Sequence, residues 1–287
     1  MKTEWILNAA VACNTGKVRL NNEDNFYFNG YHLKQENTGL EKPIQKKITD
    51  KRDSIFCVFD GMGGGDYGEA ASFAGAKTLK KEWSQISKVL YPEQFLEELC
   101  QNLNLAVCMQ QEVLGSDRMG STMALLLFHD GGVYAANIGD SRIFLLRDGA
   151  LEQISQDHDD SLYIQQMGIS HRKPRLTQYL GMNPDKVRLE PYICSMHVQI
   201  GDRFLICSDG LTDMVDQENI TRILLESKDA QEAVQKLSDS AMEQGGVDNT
   251  TVMVCIAEDA ASIKKMQWFL PLKRNQDKHG RNNGGNR

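Results

Sequence analysis

The sequence predicts one domain of the α/β (α+β type) class, a sandwich of two antiparallel sheets with pairs of helices packed outside them. Segments of strand character come in groups, and helical segments arrive two at a time between the groups. A doubly wound parallel sheet would instead alternate strand and helix. With 287 residues, of which 41% are hydrophobic, the chain is long enough to bury a substantial core.

Segments of strand character dominate the first sixty residues, and the first pair of helices follows them. Residues 34–53 are rich in Lys, Gln, Glu and Thr, which predicts a solvated hairpin or loop. After a glycine turn, Asp66 is a candidate N-cap for the first helix, and a second helix begins near Pro92. The strands predicted in this half are 5–13, 26–32 and 54–60.

The second half again places a group of strands before a pair of helices. Residues 157–185 lack a clean hydrophobic period and contain Pro174 and Pro184, which predicts a surface flap. The predicted strands are 121–129, 132–138, 141–147, 187–198, 203–208 and 250–257, and the predicted helices are 216–226 and 228–244.

A change in composition near residue 260 divides the chain into a folded domain, 1–260, and a C-terminal tail, 261–287. The tail is basic, with Asp277 as its one acid after residue 263, and its Asn- and Gly-rich end predicts disorder. Trp268-Phe269-Leu270 is a candidate docking segment. A solvated tail is nevertheless the simpler interpretation than an anchor on an anionic membrane or on a partner.

Charge and cysteine usage exclude several classes of protein. A net charge of −7 and a pI near 5.5 argue against a nucleic-acid partner, which would require a basic surface. The seven cysteines are dispersed and mostly lie in apolar segments, which predicts reduced core thiols in a cytoplasmic protein. No apolar run reaches the roughly 20 residues of a membrane span. Cleavage at the weak lipoprotein-like motif ending at Cys13 would delete the first strand, so we predict no signal peptide.

Three aspartates adjoin apolar strand segments. Asp60 and Asp209 come just after such segments, and Asp248 comes just before one. An unpaired carboxylate in such a position is costly, and too few basic residues lie nearby in the sequence to pair with all three. Divalent cations that prefer oxygen ligands, Mg²⁺ or Mn²⁺, are the natural partners. These aspartates therefore predict a metal site built by distant segments.

Each motif has an ordinary interpretation when it stands alone. An Asp-Gly pair such as Asp60-Gly61 is usually a turn. The run Gly63–Gly68 also matches a dinucleotide-binding pattern, but a second helix follows where that fold needs a parallel strand. Ser141 and Ser208 lie beside acids, yet without a nucleophile elbow or a suitable histidine they do not predict covalent catalysis. Only the combination of motifs favours metal chemistry.

The motifs occur in a fixed order along residues 5–258. They are Gly16–Asp24, Val58–Gly64, Gly120–Thr122, Asn137–Arg142, Ser155–His158, Cys207–Leu211 and Asp248–Thr251. In this order they resemble the metal-dependent protein serine/threonine phosphatases of type 2C, the PPM family, in their compact bacterial form. The resemblance implies an αββα sandwich with a two-metal centre at one end of the sheets.

The resemblance also implies which residues would bind the metal ions. Asp60 would bridge two Mn²⁺ or Mg²⁺ ions, and the backbone carbonyl of Gly61 would bind one of them. Asp209 and Asp248 would complete the shell of the other ion. In some family members the counterpart of Asp140 helps to hold a weaker third ion.

By the same resemblance, Glu23 would hold metal-bound water and Arg19 would grip the substrate phosphate with its planar fork. The acids Asp60, Asp209, Asp248 and Glu23 total −4, which two divalent ions would neutralise. A hydroxide bridging ions about 3.5–4 Å apart would attack phosphorus in line, without a phospho-enzyme.

Two positions depart from the family pattern. Met62 stands where many eukaryotic members carry histidine after Asp-Gly, so our prediction for the proton donor to the leaving oxygen is a metal-bound water. Gln178 stands where the family usually has arginine, and the flap before it is short. This difference predicts a change in substrate preference but not in the metal centre.

The resulting prediction is hydrolysis of phosphoserine and phosphothreonine on proteins, in opposition to a bacterial serine/threonine kinase. The enzyme would be a monomer whose partners are phosphoproteins, including the kinase itself. The alternative is a catalytically weak regulator with the same fold that binds phosphoproteins. The intact set of Asp60, Asp209 and Asp248 argues against this alternative, because a degenerate binder does not need it.

Overall fold

The computed structural model describes residues 5–49, 53–62, 67–85, 89–169 and 172–261. The candidate N-cap Asp66, most of the glycine run and the tail after residue 261 lie outside these ranges. Within them, two antiparallel sheets face each other and helices cover both outer faces, which confirms the predicted sandwich. The dinucleotide-binding alternative is wrong, because the described strands of both sheets pair antiparallel throughout.

The described strands form two large sheets and one short pair. Their bounds are β1 (Trp5–Asn14), β2 (Asn25–Phe28), β3 (Ile44–Ile48), β4 (Ser54–Phe59), β5 (Gly61–Met62), β6 (Gly120–Ser121), β7 (Met123–His129), β8 (Gly132–Ile138), β9 (Arg142–Arg147), β10 (Ala150–Gln153), β11 (Tyr192–His197), β12 (Arg203–Cys207) and β13 (Thr250–Asp259). The six-stranded sheet has the order β10-β9-β12-β13-β1-β3, and the five-stranded sheet has the order β11-β8-β7-β4-β2. The short pair is β5 with β6.

Helices form the two outer layers of the sandwich. Their bounds are α1 (Gly68–Gln85), α2 (Pro92–Leu114), α3 (Ser161–Gln166), α4 (Asp209–Thr212), α5 (Gln217–Glu226) and α6 (Ala230–Glu243). The buried side chains of α1 and α2 pack on the five-stranded sheet, and those of α4, α5 and α6 pack on the six-stranded sheet. Proline in the first turn of α2 and left-handed Gly115 after its last residue explain where this helix begins and ends.

Aromatic side chains fill the space between the two sheets. Phe128 on β7 contacts Phe56 on β4 at a ring-centroid distance of 5.9 Å and Phe204 on β12 at 5.4 Å, both edge to face. These rings are at most 2% exposed, so they join the two sheets into one body. The loops at the ends of the strands are therefore carried by a well-packed scaffold.

Four elements differ from the sequence-based expectation. Strand β3 lies within 34–53, where we expected a solvated hairpin or loop and did not place a strand. As an edge strand it exposes one side to water, so it carries lysine and glutamine. The short helices α3 and α4 were not predicted, because one or two helical turns are too short to show a period. Strand β2 ends at Phe28 rather than near residue 32, because Asn29 and Gly30 take positive φ angles of 41° and 109°.

All seven cysteines are free. The buried ones are Cys13, Cys57, Cys100, Cys207 and Cys255, which confirms the prediction of core thiols for these five. In the part of the chain that the structure describes, none of the helices combines the length and the apolar character needed to cross a bilayer.

Candidate metal centre

The three aspartates singled out by the sequence lie at the ends of strands. Asp60 follows β4, Asp209 opens α4 two residues after the end of β12, and Asp248 lies two residues before β13. Strands β12 and β13 are direct neighbours, and the Ser208 N–H donates to the Thr251 carbonyl at 3.1 Å. Asp209 and Asp248 therefore lie at the same end of the six-stranded sheet.

The loop before β2 joins this end of one sheet to the other sheet. The side chain of Asn249 holds the loop: its Oδ1 accepts from the Glu23 N–H at 2.8 Å, and its Nδ2 donates to the carbonyls of Thr15 and Asn21 at 2.8 and 3.0 Å. The Gly61 N–H donates to the Glu23 carbonyl at 3.2 Å. The chain after β4 is thus tied through this loop to the segment before β13.

Two glycines allow the close approach of these segments. A Cβ on Gly210 would lie 2.0 Å from the Asn249 carbonyl oxygen. A Cβ on Gly61 would lie 2.1 Å from the Gly68 carbonyl oxygen and 2.5 Å from that of Glu23. Backbone oxygens cannot move away as side chains do, so each Asp-Gly pair is required by packing as well as by any chemistry of the aspartate.

The carboxylates share one electrostatic environment. Burial, followed by the charges of Asp24, Asp209, Asp140 and Asp248, raises the pKa of Asp60 well above its usual range. Charged groups shift one another's pKa in this way when they lie near each other. The structure thus brings Asp60, Asp209 and Asp248 into one acidic cluster and adds two further aspartates to it.

Asp24 is the member of this cluster that the sequence analysis missed. It is 1% exposed, and its Oδ2 accepts hydrogen bonds from Ser208 at 2.8 Å and Thr251 at 2.7 Å. Its Oδ1 is buried without a hydrogen-bond partner. Burial raises its pKa to about 7, although both hydroxyls oppose the rise. A buried acid with one unsatisfied oxygen beside three other acids is a site for a cation or a proton.

Asp140, the implied ligand of a third ion, lies in the turn between β8 and β9. Burial, with Asp209 as the next cause, raises its pKa to about 7. The preceding Gly139 has a φ of 95°, and its N–H donates to Nδ1 of His158 at 3.3 Å. The hydroxyl of the neighbouring Ser141 lies 2.6 Å from the Thr122 hydroxyl. The backbone N–H of Thr122 in turn donates to the Asp60 carbonyl at 2.8 Å, which connects the Asp140 turn to Asp60.

Among the residues that the structure describes, two basic side chains contact the cluster. Arg19 places Nη2 2.7 Å from Oδ2 of Asp248. Lys173, which the sequence analysis did not single out, places Nζ 2.5 Å from Oδ2 of Asp209 and 2.8 Å from Oδ2 of Asp213. Burial, with Glu69 as the next cause, raises the pKa of Glu23, and Arg19 opposes the rise.

The described side chains do not form a ready-made cage. Within the described ranges, no three acidic, histidine or cysteine side chains are arranged closely enough to bind one metal ion. Carboxylates without a counter-ion repel each other, and Asp209 and Asp248 are each turned to a basic group. The donors of the cluster are nevertheless all oxygens, and one of them, Oδ1 of Asp24, is unsatisfied. This donor set fits Mg²⁺ or Mn²⁺.

The two positions that depart from the family pattern pack near the short β5–β6 pair. Met62 pairs with Gly120, and a Cβ on Gly120 would lie 2.8 Å from Cε of Met62 and 2.7 Å from Cδ2 of Tyr179. The methionine side chain therefore packs against Gly120. The side-chain oxygen of Gln178 accepts from the Glu190 N–H at 3.2 Å, so this residue supports the loop that leads into β11.

The family model described as protein phosphatase 2C matches residues 41–245. The chain belongs to the protein phosphatase 2C family. This family consists of phosphatases, so the acidic cluster belongs to an enzyme of the hydrolase class. The resemblance seen in the sequence motifs is thereby confirmed at the level of the family.

Serine/threonine phosphatases of two bacteria align over most of the chain. The serine/threonine phosphatase stp of Listeria monocytogenes is 28% identical over 260 residues, which cover 86% of this chain and 95% of the relative. The serine/threonine protein phosphatase PstP of Mycobacterium tuberculosis is 29% identical over 263 residues, which are 88% of this chain but 46% of that longer protein.

Solved structures repeat the fold. The crystal structure of the phosphatase PstP/Ppp of Mycobacterium tuberculosis has a TM-score of 0.71 at 28% identity and covers 88% of this chain and 99% of its own. A structure of the PstP catalytic domain in complex with two manganese ions has a TM-score of 0.70 at 28% identity, covering 89% of this chain and 100% of its own.

Proposed function

We propose that this member of the 2C family hydrolyses phosphoserine and phosphothreonine on proteins and depends on two divalent ions, Mn²⁺ or Mg²⁺. The observation that carries the proposal is the gathering of partly buried aspartates where β4 and β12 end and β13 begins, with more negative charge than Arg19 and Lys173 can balance. The names of the relatives support the substrate class, and the two manganese ions bound to PstP support the metal dependence.

Five groups would hold the ions. Asp60 would reach both ions and the Gly61 carbonyl one of them, while Asp209 and Asp248 would serve the second. A weaker third ion would use Asp140 with Asp209. Bound there, the ions would activate water as the nucleophile and neutralise the charge that develops on the phosphoryl group.

Protein side chains would complete the site around these ligands. Glu23 would orient water, and Asp24, held by Ser208 and Thr251, would keep its buried, unsatisfied oxygen within the acidic cluster. Arg19 now contacts Asp248. Once the charge of that aspartate is neutralised, the planar guanidinium can bind two oxygens of the substrate phosphate.

The biological setting follows as part of the same proposal. The enzyme would act in the cytoplasm as a monomer and would remove phosphate groups that a serine/threonine kinase adds, including those on the kinase. Residues 1–260 would form the catalytic domain and 261–287 a basic tail. The flap about residues 157–185, with Gln178 in place of the usual arginine, would adjust substrate preference.

Turnover of a phosphothreonine peptide, with and without millimolar Mn²⁺, tests the proposal. We expect release of phosphate only with metal, and a loss of at least about 100-fold in kcat/KM for Asp209→Asn. Asp239→Asn on the exposed face of α6 is the matched control and should keep wild-type activity. Turnover that is unaffected by chelation, or by Asp209→Asn, would contradict the metal mechanism. Peptide binding without turnover would identify a phosphoprotein-binding regulator instead.

A further inference from the structure

Lys173 forms the closest contact between a basic group and the acidic cluster. Its Nζ lies between two carboxylates, 2.5 Å from Asp209 and 2.8 Å from Asp213. The Asp209 side chain is 15% exposed, whereas the Lys173 side chain is 56% exposed. The lysine therefore reaches into the cluster from the solvent side and covers an oxygen that would otherwise face water.

Besides the ion pair, hydrogen bonds hold the segment around Lys173 next to the cluster. Asp160 accepts from the Arg175 N–H at 2.8 Å and pairs with the Arg172 guanidinium at 2.5 Å. The Thr177 N–H donates to the His158 carbonyl at 2.8 Å. These bonds place the base of the lysine side chain beside the cluster, so its position does not depend on a chance rotamer of a free loop.

The same Asp209 is a metal ligand under the proposed function, and this inference rests on that proposal. An ammonium group hydrogen-bonded to Oδ2 and an ion coordinated to Oδ2 cannot occupy the same place. We propose that Lys173 is an internal counter-ion that a divalent ion displaces from Asp209, so that metal binding and release of the Lys173 side chain from the cluster are one event.

Coupling of this kind is reciprocal. If metal weakens the Lys173 contact, the Lys173 contact weakens metal binding by the same factor. Asp213 makes the contact stronger, because it gives the ammonium a second carboxylate that the proposed ions do not use. The lysine thereby sets the metal concentration at which the centre fills and balances part of the cluster's charge while it is empty.

Calorimetric titration of Mn²⁺ into chelator-treated, full-length protein tests this coupling. Lys173→Gln should bind the weakest ion about two- to tenfold more tightly than wild type, since no ammonium has to be displaced. Arg175→Gln is the matched control: it removes the same charge from an exposed side chain two residues away. Lys173→Arg, which keeps the cation, should stay near wild type. Equal affinities of Lys173→Gln and Arg175→Gln would overturn the proposal.

Hydrogen exchange of peptides within 172–181 gives a readout that does not involve activity. In chelator, exchange should be faster in Lys173→Gln than in Arg175→Gln, and Mn²⁺ should accelerate exchange in wild type toward the Lys173→Gln rate. Exchange that Mn²⁺ leaves unchanged would contradict displacement. If wild type binds no Mn²⁺, the proposed function fails; if it binds Mn²⁺ with no effect of Lys173, only this inference fails.

Discussion

At the scale of single residues, the geometry of the site requires the glycines beside the aspartates as strictly as it requires the aspartates. Gly210 faces the Asn249 carbonyl and, at 2.9 Å from its missing Cβ, the Thr250 hydroxyl. Both neighbours belong to the segment that carries Asp248. Any side chain at 210 would push α4 away from this segment and separate Asp209 from Asp248.

We therefore expect Gly210→Ala to destabilise the fold by about 2 to 4 kcal/mol, because an added methyl meets rigid backbone. Gly149→Ala is the control. Gly149 has a φ of 82° and nothing lies within 4 Å of its missing Cβ. Gly149→Ala should therefore lower the free energy of unfolding by only about 1 to 2 kcal/mol, the cost of an alanine in the left-handed conformation. Urea unfolding measures both, and equal losses would contradict the steric explanation.

The sequence predicted the site residues that have a local signal and missed those that do not. Asp60, Asp209 and Asp248 each stand beside an apolar strand, and the structure brings them together. Asp24 precedes β2 without a distinct signal of its own, since its importance comes from Ser208 and Thr251, which lie far away in sequence. Lys173 reaches Asp209 from a segment that has no hydrophobic period.

At the scale of elements, the helices that cover the six-stranded sheet depend on polar caps. The Asp216 side chain accepts from the Asn219 N–H at the start of α5, and the Asp229 side chain accepts from the Glu232 N–H at the start of α6, both at 2.8 Å. Helix α6 packs on β1 and β13, the strands that lead to the acidic cluster. The cap at the N-terminus of α6 therefore helps to stabilise the two strands that lead to the cluster.

Asp229→Ala should lower the free energy of unfolding by about 0.5 to 2 kcal/mol, because it leaves a first-turn N–H without its partner. Asp239→Ala within the same helix removes the same charged group but no cap, and it should change stability by less than about 0.5 kcal/mol. Chemical denaturation with circular dichroism detects the difference. If Asp239→Ala lowered the free energy of unfolding by as much, the loss of a charge rather than the loss of the cap would explain the effect.

Most elements of the fold were predictable because their patterns are long. The central strands and the helices α1, α2, α5 and α6 have enough residues for a period to show, and their bounds fall within a few residues of expectation. Strand β3 was missed because an edge strand shares the polar composition of a loop. Helix α4 was missed because four residues carry no period, although Asp209 at its start was recognised.

At the scale of the whole molecule, the acidic cluster concentrates at one place part of the negative charge of a chain whose net charge is −7. Asp24 and Asp140 both have pKa values raised to about 7, mainly by burial. A carboxyl whose pKa is raised in the folded state favours folding when protonated. Its contribution is full below its ordinary pKa and is lost as pH rises through its folded pKa.

The metal-free protein should therefore lose stability between pH 6 and pH 8, by about 1 kcal/mol for each of these two groups. Saturating Mn²⁺ should raise stability at pH 8 and reduce or reverse the pH dependence, because ions compensate ionised carboxylates. Asp24→Asn should remove its share of the pH effect. Urea midpoints measured in chelator and in Mn²⁺ provide the test, and a metal-free midpoint that is higher at pH 8 would contradict the assigned charges.

The burial of five free cysteines also has a chemical consequence for the whole enzyme. Burial raises the pKa of Cys13, Cys100 and Cys207 to about 12, with the charge of Asp24 or other acids adding to the effect, so these sulfurs stay protonated at physiological pH. Alkylating reagents and peroxide attack thiolates, and here they find almost none. Under the proposed metal mechanism, the enzyme should keep its activity in oxidising conditions that inactivate a phosphatase with a nucleophilic cysteine.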